Sequence, residues 1–338
     1  MGNGSRGETT MADIAADLGV SRQLVSLVLR NQPGASPATR ARVAEAAKRL
    51  GYSPHAGARL LRQATSRQIG VVFAPKNAPE QEIVESIYIS AADRGYQVVL
   101  SAATDTRSGM QALEELLGYR CAALLVIGAD LASDELRSLA RRANVPLVAV
   151  GAGNRNRAFD VVRSAGDDGI AECVRYLAEL GHRAVTYVHA SSMPPAPLRL
   201  SGYLRAAKEL SIDPAVLEIP GEYTEECGAE AARRLLERPI RPTAVMMGND
   251  HAALGLVLTL ARSGVSVPED VSVTGFDDSR PARLSSLDLT TVRQDPQEMG
   301  RAAIDAALRR LSDPSRRPRE TVVATTLVVR GSTAPPRR

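Results

Sequence analysis

Arg22 and Gln23 begin a predicted short helix, and their side chains suit the recognition of DNA bases. An arginine can donate two hydrogen bonds to guanine, and a glutamine can pair with adenine in the same two-pronged way. Each good pair is worth about 1–3 kcal/mol of discrimination against a wrong base. Ser21, which caps this helix, and Ser26 lie on the same face. This face predicts a surface that reads base edges.

A second set of polar residues near this helix suits phosphate groups. Thr10, Asn31 and Arg40 can hydrogen-bond to phosphate oxygens. Such contacts position a protein on DNA without reading its sequence. We expect these three residues to fix the register of the base-reading face.

Caps in the sequence mark three helices that must position these residues. Thr10 followed by Asp13 resembles a capping box and predicts a helix to residue 18, where Gly19 supplies a left-handed end. Ser21 caps a second helix to about residue 29. Ser36, followed by proline, starts a third helix that ends near residue 50.

The first two helices follow the steric rules of a helix-turn-helix. Ala15 is small enough for the second helix to cross close by, and Gly19 makes the turn. Val25 and Val28 face the first helix in a small core around Ile14. An unrelated helical hairpin could show the same spacing. The distribution of charge is therefore needed to decide whether these helices bind DNA.

Positive charge is concentrated in the first 68 residues. They hold ten basic and four acidic residues, a net charge of +6, whereas the rest holds 32 basic and 34 acidic residues, a net charge of −2. A basic segment joined to a near-neutral body is typical of proteins that bind polyanions. Charge alone leaves open a merely solvated head, but together with the helix spacing it favours DNA binding.

Composition argues against several other classes of protein. The chain of 338 residues suits two or three domains, and 44% of them are hydrophobic. No apolar run reaches the roughly 18 residues of a membrane helix, and the first residues lack a signal peptide's apolar core. Three widely spaced cysteines favour neither a disulfide framework nor a zinc site. We expect a cytoplasmic protein with no membrane partner and no metal.

Residues 54–62 form a connector with two alternative interpretations. They could form about two turns of helix, although Gly57 costs such a helix about 1 kcal/mol. A linker that folds only on DNA would behave this way, with Leu61 as an apolar wedge in a minor-groove base step. The alternative is an ordinary connector whose leucines pack on the body.

From residue 68 onward, short β-branched runs alternate with amphipathic stretches. This alternation predicts parallel sheets covered by helices on both faces, whose ligands bind beyond the carboxyl ends of the strands. The predicted strands are 69–73, 97–101, 123–127, 147–150, 184–188, 244–247 and 271–275. The predicted helices lie near 80–93, 109–117, 133–143, 169–180, 198–210, 225–237 and 250–263.

These motifs together resemble the LacI/GalR family of bacterial repressors, and the likeness covers essentially the whole chain. In the head it lies in DIAADLGVSRQLVSLVL, SPATRARV and LGYSPHAGARLLR, followed by SRQIGVV. In the body it lies in GHR at 181–183, RLSGY at 199–203, GND at 248–250, GFDD at 275–278, LTTV at 289–292 and VRGS at 329–332.

The resemblance implies roles for residues of the head. It implies DNA contacts for Arg22 and Gln23, and a hinge helix at 58–62 in which Leu61 acts as a minor-groove lever beside Ala58 and Arg62. Leu27 departs from the family, which usually has arginine there, so one expected base contact is missing. Leu27 can instead touch a thymine methyl group.

The resemblance also implies the fold class and the domains. The expected class is α/β, with a helix-turn-helix head and a two-lobed, periplasmic-binding-protein-like (type I), doubly wound core crossed three times by the chain. The head spans 1–53 and the hinge and linker 54–66. The amino-terminal lobe spans 67–163 and 293–323, and the carboxy-terminal lobe spans 164–292 and 324–333.

Three residues become candidates for binding a small effector in the interlobe cleft. Arg199 is a planar donor fork, Asn249 offers a donor and an acceptor, and Asp277 can accept from sugar hydroxyls. Each also has a structural alternative: a surface ion pair for Arg199, a helix cap for Asn249, and turn stabilisation for Asp277. A sugar or related metabolite is expected by analogy, although 3% aromatic residues and no Trp reveal no stacking platform.

The expected function is an allosteric, sequence-specific transcriptional regulator, most simply a repressor. One head contacts half a site, so a homodimer on a near-palindromic double-stranded operator is expected. A transport-type sugar receptor is the first rival, opposed by the basic head and the missing export signal. An enzyme using Asp277 and Asp278, or a nucleotide cofactor, is the second. Gly151-Ala-Gly153 lacks the third glycine of a dinucleotide loop, and neither GxxxxGK followed by serine or threonine nor HExxH occurs, so we expect no cofactor. No nucleophile–base pair stands out along the sequence, so we expect no catalysis.

Overall fold

The structure is a computed structural model that describes residues 9–29, 32–52, 66–76, 78–128, 133–143, 145–151, 158–190 and 196–337. The chain divides into two compact units, residues 1–66 and 67–338, which we call the head and the core. The predicted hinge residues Ala58, Leu61 and Arg62, and the expected phosphate contact Asn31, lie outside the described residues.

The head contains three helices, α1 (Met11–Leu18), α2 (Arg22–Leu29) and α3 (Pro37–Arg49). Thr10 and Asp13 form a reciprocal capping box at the start of α1, as predicted. Gly19 ends this helix with φ +64°, and its backbone N–H bonds to carbonyls of the last turn. Ser36 caps α3 by accepting a hydrogen bond from the Thr39 N–H at 3.2 Å. These contacts confirm the three predicted helices.

A small apolar core holds these helices together. Ile14, Val25 and Val43 are fully buried, one from each helix, and Ala15 packs beside them where α2 crosses α1. Arg49 on α3 also forms an ion pair with Asp17 on α1 at 2.5 Å. Because each helix is too short to be stable alone, this shared packing fixes the orientation of α2.

The first sheet of the core is entirely parallel, with the strand order β11–β5–β4–β3–β1–β2. Its central strands β3 and β4 are wholly buried, as expected of a sheet covered on both faces. The bounds are β1 (Gln68–Phe73), β2 (Gln97–Ala102), β3 (Ala123–Ile127), β4 (Leu147–Val150), β5 (Asp160–Ser164) and β11 (Glu320–Val323).

The second sheet repeats this design with the order β12–β10–β9–β8–β6–β7. All its pairs are parallel except β10 with β12. The bounds are β6 (Val185–Ala190), β7 (Ala215–Ile219), β8 (Ala244–Met247), β9 (Ser272–Asp277), β10 (Thr290–Arg293) and β12 (Thr326–Val328).

Eight α-helices of the described chain cover these sheets, with one short 3-10 helix at Pro281–Arg283. None is long and apolar enough to cross a membrane, within the ranges that the structure describes. The helices are α4 (Ala78–Ala92), α5 (Gly109–Gly118), α6 (Ser133–Ala143), α7 (Gly166–Glu179), α8 (Ala196–Glu209), α9 (Glu225–Leu236), α10 (Asp250–Arg262) and α11 (Pro296–Ser312).

The chain passes between the two sheets three times: after β5, after β10 and after β11. The crossing segments are bonded to each other, since the Ala165 N–H donates to the Val323 carbonyl at 2.8 Å and Thr325 Oγ1 donates to the Ala165 carbonyl at 3.1 Å. A Cβ on Gly169 would come within 2.6 Å of Thr325 Oγ1. The first and third crossings are therefore packed as one group.

All seven predicted strands and all seven predicted helices of the core are confirmed within a few residues. The pattern does not predict α11, because alanines and Gly300 dominate the buried face of that helix. It also does not predict β5, β7, β10, β11 and β12. These strands are short, and β7, β11 and β12 expose many of their residues.

Candidate nucleic-acid interface and interlobe cleft

The first turn of α2 presents its side chains to solvent. Ser21 begins the helix by accepting a hydrogen bond from the Leu24 N–H at 3.2 Å. Arg22 and Gln23 follow, both exposed, and neither side chain has a hydrogen-bond partner within residues 9–29 and 32–52. Ser26, one turn later, is half-buried. Within the described part of the head, two long polar side chains therefore extend into solvent without a partner, on a helix whose other face is packed into the head core.

Leu27 supports the turn that follows α2. It is half-buried and packs against the head core. A Cβ on Gly34 would lie 3.2 Å from Leu27 Cδ1, and Gly34 has φ +118°. The Gln32 N–H donates to the Leu27 carbonyl at 3.0 Å. This packing gives Leu27 a structural role beside the base contact expected of it.

The side chains of Thr10 and Arg40 both form hydrogen bonds within the head. The Thr10 hydroxyl donates to Asp13 Oδ2 at 2.8 Å within the capping box. Arg40 donates from its guanidinium to the Gln32 carbonyl. Thr10 is exposed and Arg40 half-buried, and each side chain is oriented before any ligand arrives.

The core brings Arg199 and Asp277 together at the carboxyl end of β9. Arg199, on α8, is 7% exposed, and its Nη2 lies 3.6 Å from Asp277 Oδ1. Its guanidinium also lies over the Phe276 ring and donates to the Gly248 carbonyl. A buried cation over an aromatic face and beside a carboxylate is held in one orientation.

Asp277 combines a strained backbone with a buried carboxyl. Its φ is +110°, which L-residues other than glycine rarely adopt. Gln294 Nε2 donates to its Oδ1 at 2.6 Å. Burial raises the pKa of Asp277 to about 6, and the Arg199 guanidinium opposes this rise. Its second oxygen, Oδ2, leaves acceptor capacity beside a small cavity.

Asn249 uses both ends of its amide within the protein. Its Oδ1 accepts from the Ala252 N–H at 2.8 Å, which caps α10, and its Nδ2 donates to the Tyr223 carbonyl at 3.0 Å. This arrangement favours the helix-cap alternative, with Asn249 positioning the turn beside Arg199. Of the three effector candidates, the structure pairs Arg199 and Asp277 directly.

Asp250 and Asp278 are fully buried carboxylates that the sequence did not suggest as effector-binding residues. Asp250 accepts from Ser279 and Thr291, and burial together with the charge of Asp277 raises the pKa of Asp250 to about 7. Burial disfavours the charged form of Asp278 as well. Three arginines outweigh this effect of burial, so the pKa of Asp278 lies below its ordinary value. Those arginines are Arg283, Arg293 and Arg330.

An aromatic group lies behind Arg199 that the low aromatic content did not reveal. The Tyr223 hydroxyl lies 3.3 Å from that of Tyr187, whose ring stacks on Tyr203 with centroids 5.3 Å apart. A Cβ on Gly248 would come within 2.0 Å of the Tyr223 ring, so only glycine fits there. The sequence feature that could have indicated this aromatic group is the position of Tyr223, directly before the residue that caps α9.

A small cavity lies between the two sheets beside Asp277. Residues of both halves line it, including Glu82 from α4 and Gln294 after β10. Lys76, which follows β1, forms ion pairs with both halves of the core: its Nζ lies 3.1 Å from Asp105 and 3.3 Å from Glu222. Within the described ranges no group of three or more His, Cys, Asp or Glu could hold a metal ion. Asp277 presents an acceptor to this cavity, held beside the donor fork of Arg199.

The family models that match this chain agree with its two units. The model described as bacterial regulatory proteins, lacI family, matches residues 10–55. The model described as periplasmic binding protein-like domain matches residues 174–333.

Known proteins also match nearly the whole chain. The ribose operon repressor of Escherichia coli strain K12 is 31% identical over 327 residues, covering 96% of this chain and 99% of the relative. A lac repressor dimer bound to operator and an anti-inducer has a TM-score of 0.85 at 27% identity, covering 97% of this chain and 100% of that one. The regulator CelR in complex with cellobiose has a TM-score of 0.70 at 28% identity, covering 96% and 100%.

Proposed function

The chain belongs to the LacI family of bacterial regulatory proteins, and from that premise we propose how its residues bind an operator and respond to an effector. It is a DNA-binding transcriptional repressor, controlled allosterically, and it is not an enzyme. Its partners are operator DNA, a small effector and a second copy of the chain. We propose that it acts in the cytoplasm.

In this proposal, Arg22 and Gln23 read base edges in the major groove. The observation that carries it is the pair of exposed side chains on the first turn of α2, which have no hydrogen-bond partner among the described residues of a head whose net charge is +5 over residues 1–66. Ser21 and Ser26 add polar contacts on the same face, and Leu27 adds an apolar one. Thr10, Asn31 and Arg40 contact phosphates, and Ala58, Leu61 and Arg62 contact the minor groove from a hinge helix.

For the effector, we propose a sugar or related polyol bound between the two lobes. Arg199 donates to its hydroxyls, Asp277 accepts from them, and Asn249 holds the neighbouring turn. The cellobiose complex of CelR supports this ligand class. The lobes in this proposal are 67–163 with 293–323 and 164–292 with 324–333. Binding changes DNA affinity only if the effector prefers one arrangement of the lobes.

Selection of bound duplexes from a random DNA library tests the proposal for the head. The full-length chain should enrich inverted repeats, with an affinity that falls steeply as salt rises. The control lacks residues 1–62 and keeps the core. Undiminished specific binding by that control would contradict the proposal. A thermal-shift screen of sugars with the full-length chain then identifies the effector as the compound that raises Tm.

A further inference from the structure

Five arginines line one pocket at the edge of the first sheet, away from the interlobe cleft. The pocket lies where α11 ends and where β5 and β11 begin, so it is at the amino ends of these parallel strands. The cleft residues lie beyond the carboxyl ends of the strands, at the opposite end. The pocket is lined by Asp160, Ala306, Arg309, Arg310, Arg316, Arg317 and Arg319.

Asp160 and Arg310 form the floor of this pocket and neutralise each other. Arg310 donates from Nε and Nη2 to Asp160 Oδ2 at 3.0 and 2.7 Å. Asp160 Oδ1 also accepts the backbone N–H of Arg319 at 2.9 Å. Because both groups are largely buried and satisfied, the single carboxylate of the pocket cannot balance the remaining arginines.

The backbone that carries those arginines is held in place. Arg310 also donates to the Arg316 carbonyl. The Asp313 carboxylate accepts two hydrogen bonds, one from the N–H of Ser315 and one from its hydroxyl. Together with the bonds of Asp160 to Arg310 and to the Arg319 N–H, these contacts tie the segment after α11 to the start of β5. The pocket therefore exists before a ligand binds, and its guanidinium groups are not on a free tail.

Four more guanidinium groups surround this floor, and one of them, that of Arg316, lies close enough to Asp313 to interact with its charge. The side chains of Arg309, Arg316, Arg317 and Arg319 form no ion pair or hydrogen bond with any residue that the structure describes. Four like charges around one concave surface repel each other and attract anions. Guanidinium forks match phosphate oxygens in two-pronged geometry, which selects phosphate over a simple halide.

We propose that this pocket is a second ligand site, for a small phosphorylated anion. The argument is independent of the proposed effector in the cleft, because the two sites share no residue. A concave pocket of this kind suits a compact phosphate or diphosphate group better than an extended polymer backbone.

Isothermal titration of the full-length chain with sodium pyrophosphate, at constant ionic strength, tests this proposal. Saturable binding is expected. Arg317→Glu with Arg319→Glu should weaken it about tenfold or more, since both side chains are exposed and the charge of the pocket is reversed there. The matched control is Arg141→Glu with Arg142→Glu, two exposed arginines of α6 with the same change of charge. The control should bind pyrophosphate like the parent protein.

Three results would overturn the proposal. The parent protein could show no saturable binding, or both double variants could lose binding equally, which would indicate a general effect of net charge. Alternatively, the Arg317/Arg319 variant could weaken binding to random-sequence duplex DNA while leaving pyrophosphate binding unchanged, which would assign the pocket to nucleic acid. A titration with succinate separates phosphate recognition from carboxylate recognition, and thermal unfolding verifies that both variants are folded.

Discussion

The guanidinium carbon of Arg199 lies 3.7 Å from the centroid of the Phe276 ring, and the next residue, Asp277, faces the same guanidinium at 3.6 Å. The ring prevents the arginine from tilting, and the carboxylate and the Gly248 carbonyl fix its donors in plane. The donor fork and its acceptor are therefore ordered before a ligand arrives, which lowers the entropic cost of binding.

Asp277→Asn should remove effector response while leaving operator binding unchanged. A hydrogen bond to a charged group is worth about 1.5–3 kcal/mol, so effector affinity should fall about 10- to 100-fold. Isothermal titration with the effector found in the screen gives the effector affinity. A binding measurement with operator DNA on the same protein gives the operator affinity.

The matched control for that variant is Asp278→Asn. Asp278 is fully buried and faces three arginines, so this change should lower the free energy of unfolding by about 3–5 kcal/mol. If Asp277→Asn destabilised the core to the same extent, its role would be structural.

The stability of the core should depend on pH through Asp250. Its folded pKa is raised to about 7, above the ordinary value of 3.8, so the folded state holds a proton that the unfolded state has released. The contribution of Asp250 to stability therefore falls as pH rises from about 4 through 7. Asp250→Asn cannot ionise, so the free energy of unfolding of the parent should fall relative to this variant between pH 5 and pH 8.

Chemical denaturation of both proteins at each pH gives this difference directly. Comparing the two proteins removes the contribution of His182, whose pKa burial lowers and which is present in both. A difference that stays constant between pH 5 and pH 8 would show that Asp250 is ionised throughout this range, and would contradict a raised pKa of this group.

Arg22→Ala should relax sequence preference at one base position of each half-site. The expected loss of discrimination is about 1–3 kcal/mol at that position. The control is Lys48→Ala, which removes one charge from an exposed side chain of α3. It should weaken binding to all sequences equally. Selection from a random library with each variant measures preference, and an unchanged preference for Arg22→Ala would exclude base reading by this residue.

Gly19→Ala should destabilise the head by about 1 kcal/mol. The methyl group would meet nothing within 4 Å, so the whole effect comes from φ +64°. Gly118→Ala adds a methyl group to similarly open space without a positive φ and should leave stability unchanged or improve it. Thermal unfolding of the full chain, with the transitions of the head and of the core recorded separately, measures the change in stability caused by each variant. Equal shifts for the two variants would contradict the backbone argument.

The head could be predicted closely from sequence because its signals are local. Thr10, Gly19 and Ser36 act on residues within a few positions, and each forms the cap that its type predicts. The family resemblance placed Arg199 and Asp277 in the same cleft but did not predict that they pair, since 78 positions of chain separate them and no local pattern links them.

The remaining features depend on contacts that no local pattern encodes. Asp278 is balanced by Arg330, which is brought to it only by the antiparallel strand β12 and the residues that follow. The Asp160–Arg310 floor of the arginine pocket joins residues 150 positions apart. Strand β11 alternates weakly because it is an edge strand, and its place beside β5 is a result of the whole topology.

The bonds between the first and third crossings limit how the two sheets can move in response to a ligand. Because Ala165 is bonded to both Val323 and Thr325, these two crossing segments move as one group. A change in the angle between the two sheets leaves these bonds intact. A ligand too small to contact both sides of the cleft would not fix that angle. The size of the effector, as well as its chemistry, therefore decides whether its binding changes the arrangement of the two sheets.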